Sequence, residues 1–365
     1  MATRKHNKTS KRISSTRSKK KIGGYAGDFS NRNLKNQNFK NEVFKNTNFS
    51  GANLTGAIFS GADLTNSNFS GADLTNAKLD GANLTRADFS DTKLKGALLT
   101  GANLTETNFT GSYLRSSYLI NTNLQGANLT RANLRNTNFE GANLTGANLT
   151  DADLTNAKLE SLDLTETILT ETNFTGATLA DANLANANLE GLNFKNTTSV
   201  GAYFSDANLT NGYLVNANLT DAELTDAKLK GADLTGAKLK GANLENADLT
   251  GADLTDANLS DSDLTGANLT DADLTDANLE LANLTGTNFT HAHLTRANIG
   301  SSILEGANLT GANLTDAIFK DADLTEVNLS GANLTHADLT GSNMTAVIVN
   351  DDTLFTRANF TDTTV

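Results

Sequence analysis

Between Phe29 and Met344 a large apolar residue returns at every fifth position, and every such centre except Ser199, Ile299 and Met344 is Leu or Phe. The stretch GANLTGANLTDADLT, residues 141 to 155, shows the unit. Leu144, Leu149 and Leu154 are centres, Ala stands two before each, and Asn, Asp, Thr and Gly fill the rest. On a helix, five residues advance about 500°, so the leucines would spiral over all sides and form no stripe. On an extended strand, Ala and the following Leu share a face, but the next Leu falls on the opposite one. The pattern therefore predicts a chain that turns a corner within every five residues, pointing each Ala and Leu inward and the polar residues outward.

The phenylalanines set the number of sides. Phe29, Phe49, Phe69, Phe89 and Phe109 recur at intervals of 20, as stacked neighbours would, which predicts four sides per coil. About 16 coils at a strand spacing of about 4.8 Å make an all-β rod of roughly 75 Å. Gly, Asn and Asp suit its corners, since they tolerate unusual backbone angles and hydrogen-bond locally.

Composition agrees with a thin core at regular intervals. Apolar residues are 38% of the 365, and Trp, Cys and Pro are absent. Without cysteine there is no disulfide framework, thiolate nucleophile or Cys-based metal site. No run reaches the roughly 18 apolar residues of a membrane span, and no Sec-type signal peptide opens the chain. The many N-x-[ST] triplets would draw glycosylation on a eukaryotic secretory route, so a cytoplasmic setting is expected.

Residues 1 to 22 differ from the rest. Arg4, Lys5, Lys8, Lys11, Arg12, Arg17, Lys19, Lys20 and Lys21 stand there without one acidic residue and with little to bury, the composition of a disordered basic arm. Such an arm suits an anionic partner: nucleic acid, an anionic membrane surface or the acidic half of a neighbouring copy. An assembly anchor or a targeting sequence are further readings. The expected organisation is the arm at 1–22, a repeat domain at 23–350 and a C-terminal cap or tail at 351–365.

The pattern A-(D/N)-L-x-x, as in ANLTG and ADLTD, resembles the pentapeptide-repeat proteins over residues 27 to about 350. That resemblance implies a right-handed quadrilateral parallel β-helix, and the hand comes from the resemblance alone. Leu162, Leu192 and Val327 depart from it by standing where the small residue belongs. At Ser199 a polar residue replaces the large centre, and a local widening or irregular backbone is expected there.

The ends need covering. Arg32, Gln37 and Glu42 replace the small residue near the start, as a polar cap would. Val347, Ile348, Val349, Leu354, Phe355 and Phe360 form the densest apolar group off the ideal pattern. It reads either as a C-terminal plug or as a homodimer contact, since some proteins of the family it resembles pair through their C-termini.

Candidate chemistry is sparse. His291, His293 and His336 point outward at separations that cannot share a metal ion, and a filled solenoid has no axial pocket. Neither an enzyme nor a cofactor is expected. Charge is more informative, because residues 23–204 carry −4 and residues 205–365 carry −17. Asp233, Asp253 and Asp273 recur at 20, as do Asp256 and Asp276, and should form two acidic columns. Over eight coils, about 38 Å, duplex DNA would carry about 22 charges, so the linear density is comparable. The family resemblance includes acidic rods that imitate B-form DNA at type II topoisomerases such as gyrase. The primary expectation is a rigid, non-enzymatic scaffold for an unknown protein partner or assembly, with a DNA mimic as its rival; solubility alone would also explain the charge. Exposed apolar candidates are Leu98, Tyr113, Tyr118 and Ile120, and a second group of Tyr203 and Tyr213 with Val200 and Val215.

Overall fold

In the computed structural model, which describes residues 27–365, every five-residue unit makes one short side and one corner. The basic arm at 1–22 lies outside these residues. With few exceptions, the residue before a centre forms a parallel bridge with the residue 20 further on: Asn48 with Asn68, Asn53 with Asp73, Ile58 with Lys78, Asp63 with Asn83. These four pairs define sides one to four of the coil.

Backbone hydrogen bonding explains why five residues suffice. The centre donates to the next coil (Phe49 N–H to Asn68 O, 2.6 Å), and so does the corner residue (Gly51 N–H to Ser70 O, 2.9 Å). The bridging residue donates to the coil before it (Asn68 N–H to Thr47 O, 2.9 Å), and the small residue closes the corner (Ala52 N–H to Phe49 O, 3.0 Å). One N–H per unit is left over, that of the residue after the centre. The bridging Asn or Asp takes it through its own side chain, as when Ser70 N–H donates to Asn68 Oδ1 at 2.8 Å. This Asx turn gives the A-(D/N)-L-x-x pattern its physical reason, since an unmet N–H would otherwise be left half-buried. The following corner residue is left-handed, with φ 62° at Gly51 and 57° at Asn66, a region that Gly, Asn and Asp enter at least cost.

Inside, Leu or Phe and Ala leave no solvent at the axis, and nearly all are 0–1% exposed. Phe49 and Phe69 stack with ring centroids 4.9 Å apart and planes 7° from parallel, as the interval of 20 predicts. Where Ser or Thr takes the small position its hydroxyl usually finds a carbonyl, as Thr92 Oγ1 finds Phe69 O at 2.8 Å. Ser112 and Ser117 are the two buried hydroxyls among the described residues that find none.

The irregularity expected at Ser199 is absent. Ser199 N–H reaches Asn218 O at 2.7 Å in normal register. Its hydroxyl donates to Thr197 Oγ1 at 3.3 Å, and the edge-on rings of Phe194 and Phe204, 6.1 Å apart, fill the axis from the neighbouring sides. The ladder breaks instead beside Leu162. On side four the Asn143–Asp163 bridge and the bonds from Gly141, Leu144 and Gly146 N–H to the coil beyond are missing. On side one of the next coil the Ile168–Asn188 bridge and the bonds from Glu166, Leu169 and Glu171 N–H are missing too. Volume at the small position, not polarity at the centre, is what this fold tolerates badly. Val327, smaller than Leu, keeps its ladder, with Ile348 N–H donating to Val327 O at 2.8 Å.

The two ends differ. At the first coil Arg32, Gln37 and Glu42 are exposed, and the Arg32 guanidinium lies 5.8 Å from the centre of the Phe29 ring. Residues 351–365, expected as a cap or tail, continue the ladder as one more coil, with Leu354, Asn359 and Thr364 bridging residues 21 earlier. The extra residue is absorbed at Asn350, whose Oδ1 accepts Gly331 N–H at 2.8 Å in place of a backbone carbonyl. This last coil is open: Ile348, Val349, Leu354 and Phe360 are each 42–54% exposed.

Candidate interaction surfaces

A column of bridging residues is a column of outward side chains about 4.8 Å apart, so each side can be read as a surface. Side two carries Asp233, Asp253 and Asp273 in succession, as the sequence predicts. Asp256 and Asp276 occupy successive corners after it, both at positive φ. Asp276 is not uncompensated. Arg296, one coil on, donates from Nε to Asp276 Oδ1 at 2.6 Å, and that bond holds the Asp276 carboxyl below the usual carboxylate range.

The fourth side is more acidic. With its two bordering corners it carries Asp206, Asp221, Glu223, Asp226, Glu245, Asp261, Asp263, Glu305, Asp321, Asp323, Glu326 and Asp362, and no Lys or Arg from residue 205 onward. The one ion pair to this set comes from the third side, where Lys240 Nζ lies 3.3 Å from Asp261 Oδ2. Most of the −17 of residues 205–365 is therefore gathered on one side of the rod. An apolar spot interrupts it, formed by Leu281, 57% exposed, and Ile303, 48% exposed, in adjacent coils. Leu281 holds φ 63° at a corner where Gly, Asn or Asp usually stands, a conformation that disfavours a side chain with Cβ.

The unit responsible for this layout is the one on which the chain can be compared with known proteins. The description "Pentapeptide repeats (8 copies)" matches residues 28–196 and 202–345 in overlapping segments. The chain belongs to the pentapeptide-repeat family. Pentapeptide-repeat proteins fold as right-handed quadrilateral β-helices, in keeping with the four-sided ladder. Among solved structures, the chain is similar to HetL, a pentapeptide-repeat protein involved in heterocyst differentiation regulation in the cyanobacterium Nostoc sp. strain PCC 7120. They share 33% identity over 63% of this chain and 90% of HetL, with a TM-score of 0.38. It is also similar to Rfr23 of the cyanobacterium Cyanothece 51142 (28% identity, 33% of this chain and 90% of that one, TM-score 0.20). A third is QnrB1, a plasmid-mediated fluoroquinolone resistance protein (21% identity, 48% and 81% covered, TM-score 0.22). A search of curated proteins returns no match. Membership rests on the repeat match, not on these superpositions.

Other residues of this pentapeptide-repeat chain fall as follows. Leu98 and Tyr118 are bridged neighbours on side three, with Ile120 beside them and Tyr113 on the preceding side. Tyr113 and Tyr118 are about half exposed. Tyr203 and Tyr213 do not gather: Tyr203 bridges within side four and Tyr213 within side two, so they face away from each other. His336 Nδ1 lies 3.3 Å from Asp316 Oδ1, and no three His, Asp or Glu among the described residues group around a metal position. No helix of the described residues is long and apolar enough to cross a membrane.

The sequence reading missed the fourth side because it sought the same residue at intervals of 20. There Asp and Glu alternate between bridging, corner and intervening positions, and only their sum over a side carries the signal. Leu281 was legible as a lone apolar corner residue but was not singled out.

Proposed function

We propose that the chain is a non-enzymatic scaffold whose flat sides bind another protein, and that the fourth side of its C-terminal half is the principal binding surface. The observation that carries this reading is the run of carboxylates from Asp206 to Asp362 without a cation of its own, set around exposed Leu281 and Ile303. A partner that fits presents basic groups around an apolar projection, since apolar centre and charged rim is how interfaces divide affinity from steering. The acidic columns Asp233, Asp253, Asp273 and Asp256, Asp276 supply a second, partly neutralised surface on the side opposite. The test is affinity capture with wild type and with a variant carrying Glu223→Gln, Asp261→Asn, Asp263→Asn, Asp321→Asn and Asp323→Asn. A partner retained by the first and lost by the second supports the reading; equal retention removes the fourth side.

The rival is an acidic mimic of duplex DNA acting on a type II topoisomerase. The charge of the second half favours it, at about the linear density of DNA. Gyrase supercoiling, titrated with wild type and with Asn at Asp233, Asp253, Asp256, Asp273 and Asp276, separates the two. Without effect from wild type the mimic is excluded; with equal effects from both, side two is not the surface used.

The open last coil supplies a further contact in this reading, between two copies end to end. Val349 and Phe360 are half exposed, and the N–H groups of Val349, Phe355 and Phe360 donate no backbone hydrogen bond. The basic arm remains a candidate for an anionic partner.

A further inference from the structure

The ladder break beside Leu162 has a definite form. Residues 160–165 on side four keep their bonds to the coil beyond (Leu164 N–H to Asn183 O, 2.8 Å; Asn183 N–H to Leu162 O, 2.8 Å) and lose those to the coil before. After the corner at Glu166 the opposite holds. Residues 167–171 on side one keep their bonds to the coil before (Ile168 N–H to Ala147 O, 2.9 Å; Leu149 N–H to Ile168 O, 2.8 Å) and lose those to the coil beyond. The chain thus steps from one level of the stack to the other at Glu166. Glu166 is also the one corner residue between Asn31 and Ala346 whose φ is not positive.

Side-chain volume accounts for the step. Leu162 stands directly above Ala142, in a column of small residues, and its added volume lifts side four off the coil below. Leu192 stands likewise above Thr172 and holds the next coil up until Asn193, where the ladder closes again with Phe174 N–H to Asn193 O at 2.9 Å. Solvent reaches the core here as nowhere else along the alanine column. Ala142 and Ala187 are 9% and 7% exposed, where other buried alanines are 0–2%. Clefts open around the same level, one lined by Asn138, Glu140, Gly141, Lys158, Glu160 and Ser161, another by Glu171, Thr172, Asn173, Gly191, Leu192 and Asn193.

In a solenoid, stability and stiffness pass only between neighbouring coils, so the interface with fewest bonds yields first. We infer that residues 141–193 form a built-in joint, wedged open by Leu162 and Leu192, across which two stiff rods flex. The joint lies just before the change from the −4 of residues 23–204 to the −17 of residues 205–365. The rods it connects are therefore also the two electrostatic halves, and flexing would let one dock while the other reorients. This inference needs no particular partner and stands whether or not the fourth side binds one.

Hydrogen exchange of the full chain tests it. Amides in peptides covering 141–147 and 166–171 should exchange at least about a hundredfold faster than their equivalents at 221–227 and 246–251, as local opening requires. In the Leu162→Ala, Leu192→Ala variant the difference should fall below about tenfold as the ladder closes. Uniform protection along the wild-type rod overturns the joint, and a variant that folds but keeps the fast segments overturns the role of the leucines. Flexing itself is read from spin labels, for which the chain offers no competing cysteine. Labels at Arg115→Cys and Val215→Cys span the joint, and labels at Val215→Cys and Thr315→Cys span the same five coils, about 24 Å, within the acidic half. A distance distribution no broader for the first pair than for the second also overturns it, whatever becomes of the leucine variant.

Discussion

Asn288 Oδ1 accepts two hydrogen bonds from Thr290, one from its N–H at 3.1 Å and one from its hydroxyl at 2.6 Å. The Asn288 amide in turn donates to Asn268 Oδ1 at 3.3 Å and Thr270 Oγ1 at 2.9 Å, tying one coil to the next. Asn288→Ala removes the acceptor and leaves a half-buried N–H unmet, at an expected cost of about 1 to 3 kcal/mol. Asn288→Asp keeps the acceptor and loses only the donor, so its cost should be the smaller. Urea unfolding of the two variants checks the order, and equal losses would remove the Asx turn as the stabilising feature.

Leu254 fills the axis with no exposure, whereas Leu162 occupies a position meant for Ala. Leu254→Ala should destabilise by about 2 to 5 kcal/mol, the usual range for a leucine removed from a packed core. Leu162→Ala loses similar apolar surface but allows the side-four ladder to re-form, and should cost less than half as much. The comparison of denaturation midpoints is the measurement.

The Thr340 hydroxyl and N–H both donate to Asp338 and hold its carboxyl below the usual range, as Arg296 does for Asp276. A carboxyl with lowered folded-state pKa stabilises above its unfolded value, about 3.9, and that contribution disappears as pH falls through the folded value. Melting of wild type and Asp338→Asn should therefore differ at pH 6 and converge as pH falls below the usual carboxylate range. Glu171 runs the other way: Asp151 beside it raises its carboxyl. Strain between the two is present at neutral pH and relieved as pH falls, so Glu171→Gln should narrow its advantage on acidification.

Phe360 lies at the open end, 42% exposed, 5.5 Å from the Phe355 ring. If this end pairs with a second copy, Phe360→Lys should shift sedimentation from dimer to monomer without loss of circular dichroism. A wild-type monomer at tens of micromolar excludes the contact.

Deleting residues 241–260 removes one whole coil and should leave a folded rod, since every flanking bridge still joins equivalent sides. Deleting 241–245 moves each later residue to the neighbouring side and should scramble the acidic fourth side while the core persists. Equal salt dependence of partner binding in both deletions would contradict the assignment of charge to sides.

The repeat of five and the coil of 20 were legible because Leu, Phe and Ala carry both the period and the reason for it. Phe49 over Phe69 is the clearest instance. The Asx turn was not, because the bond from Ser70 N–H to Asn68 Oδ1 leaves no period apart from that of the repeat itself. Tyr203 and Tyr213 illustrate a different failure, since ten residues apart on this fold means opposite sides. The irregularity expected at Ser199 is found beside Leu162 instead, because the axis accommodates a small polar residue between two phenylalanines and the small column has no slack for a leucine. The acidic side required each carboxylate to be placed on the coil before any could be added.

Because each described bridge reaches back only 20 or 21 residues, a growing polypeptide has its template ready before the next turn is synthesised. Every newly completed turn shows an exposed apolar rim like that of the last described coil, and the following 20 residues cover it. Synthesis and assembly can therefore advance together along the rod, one coil at a time.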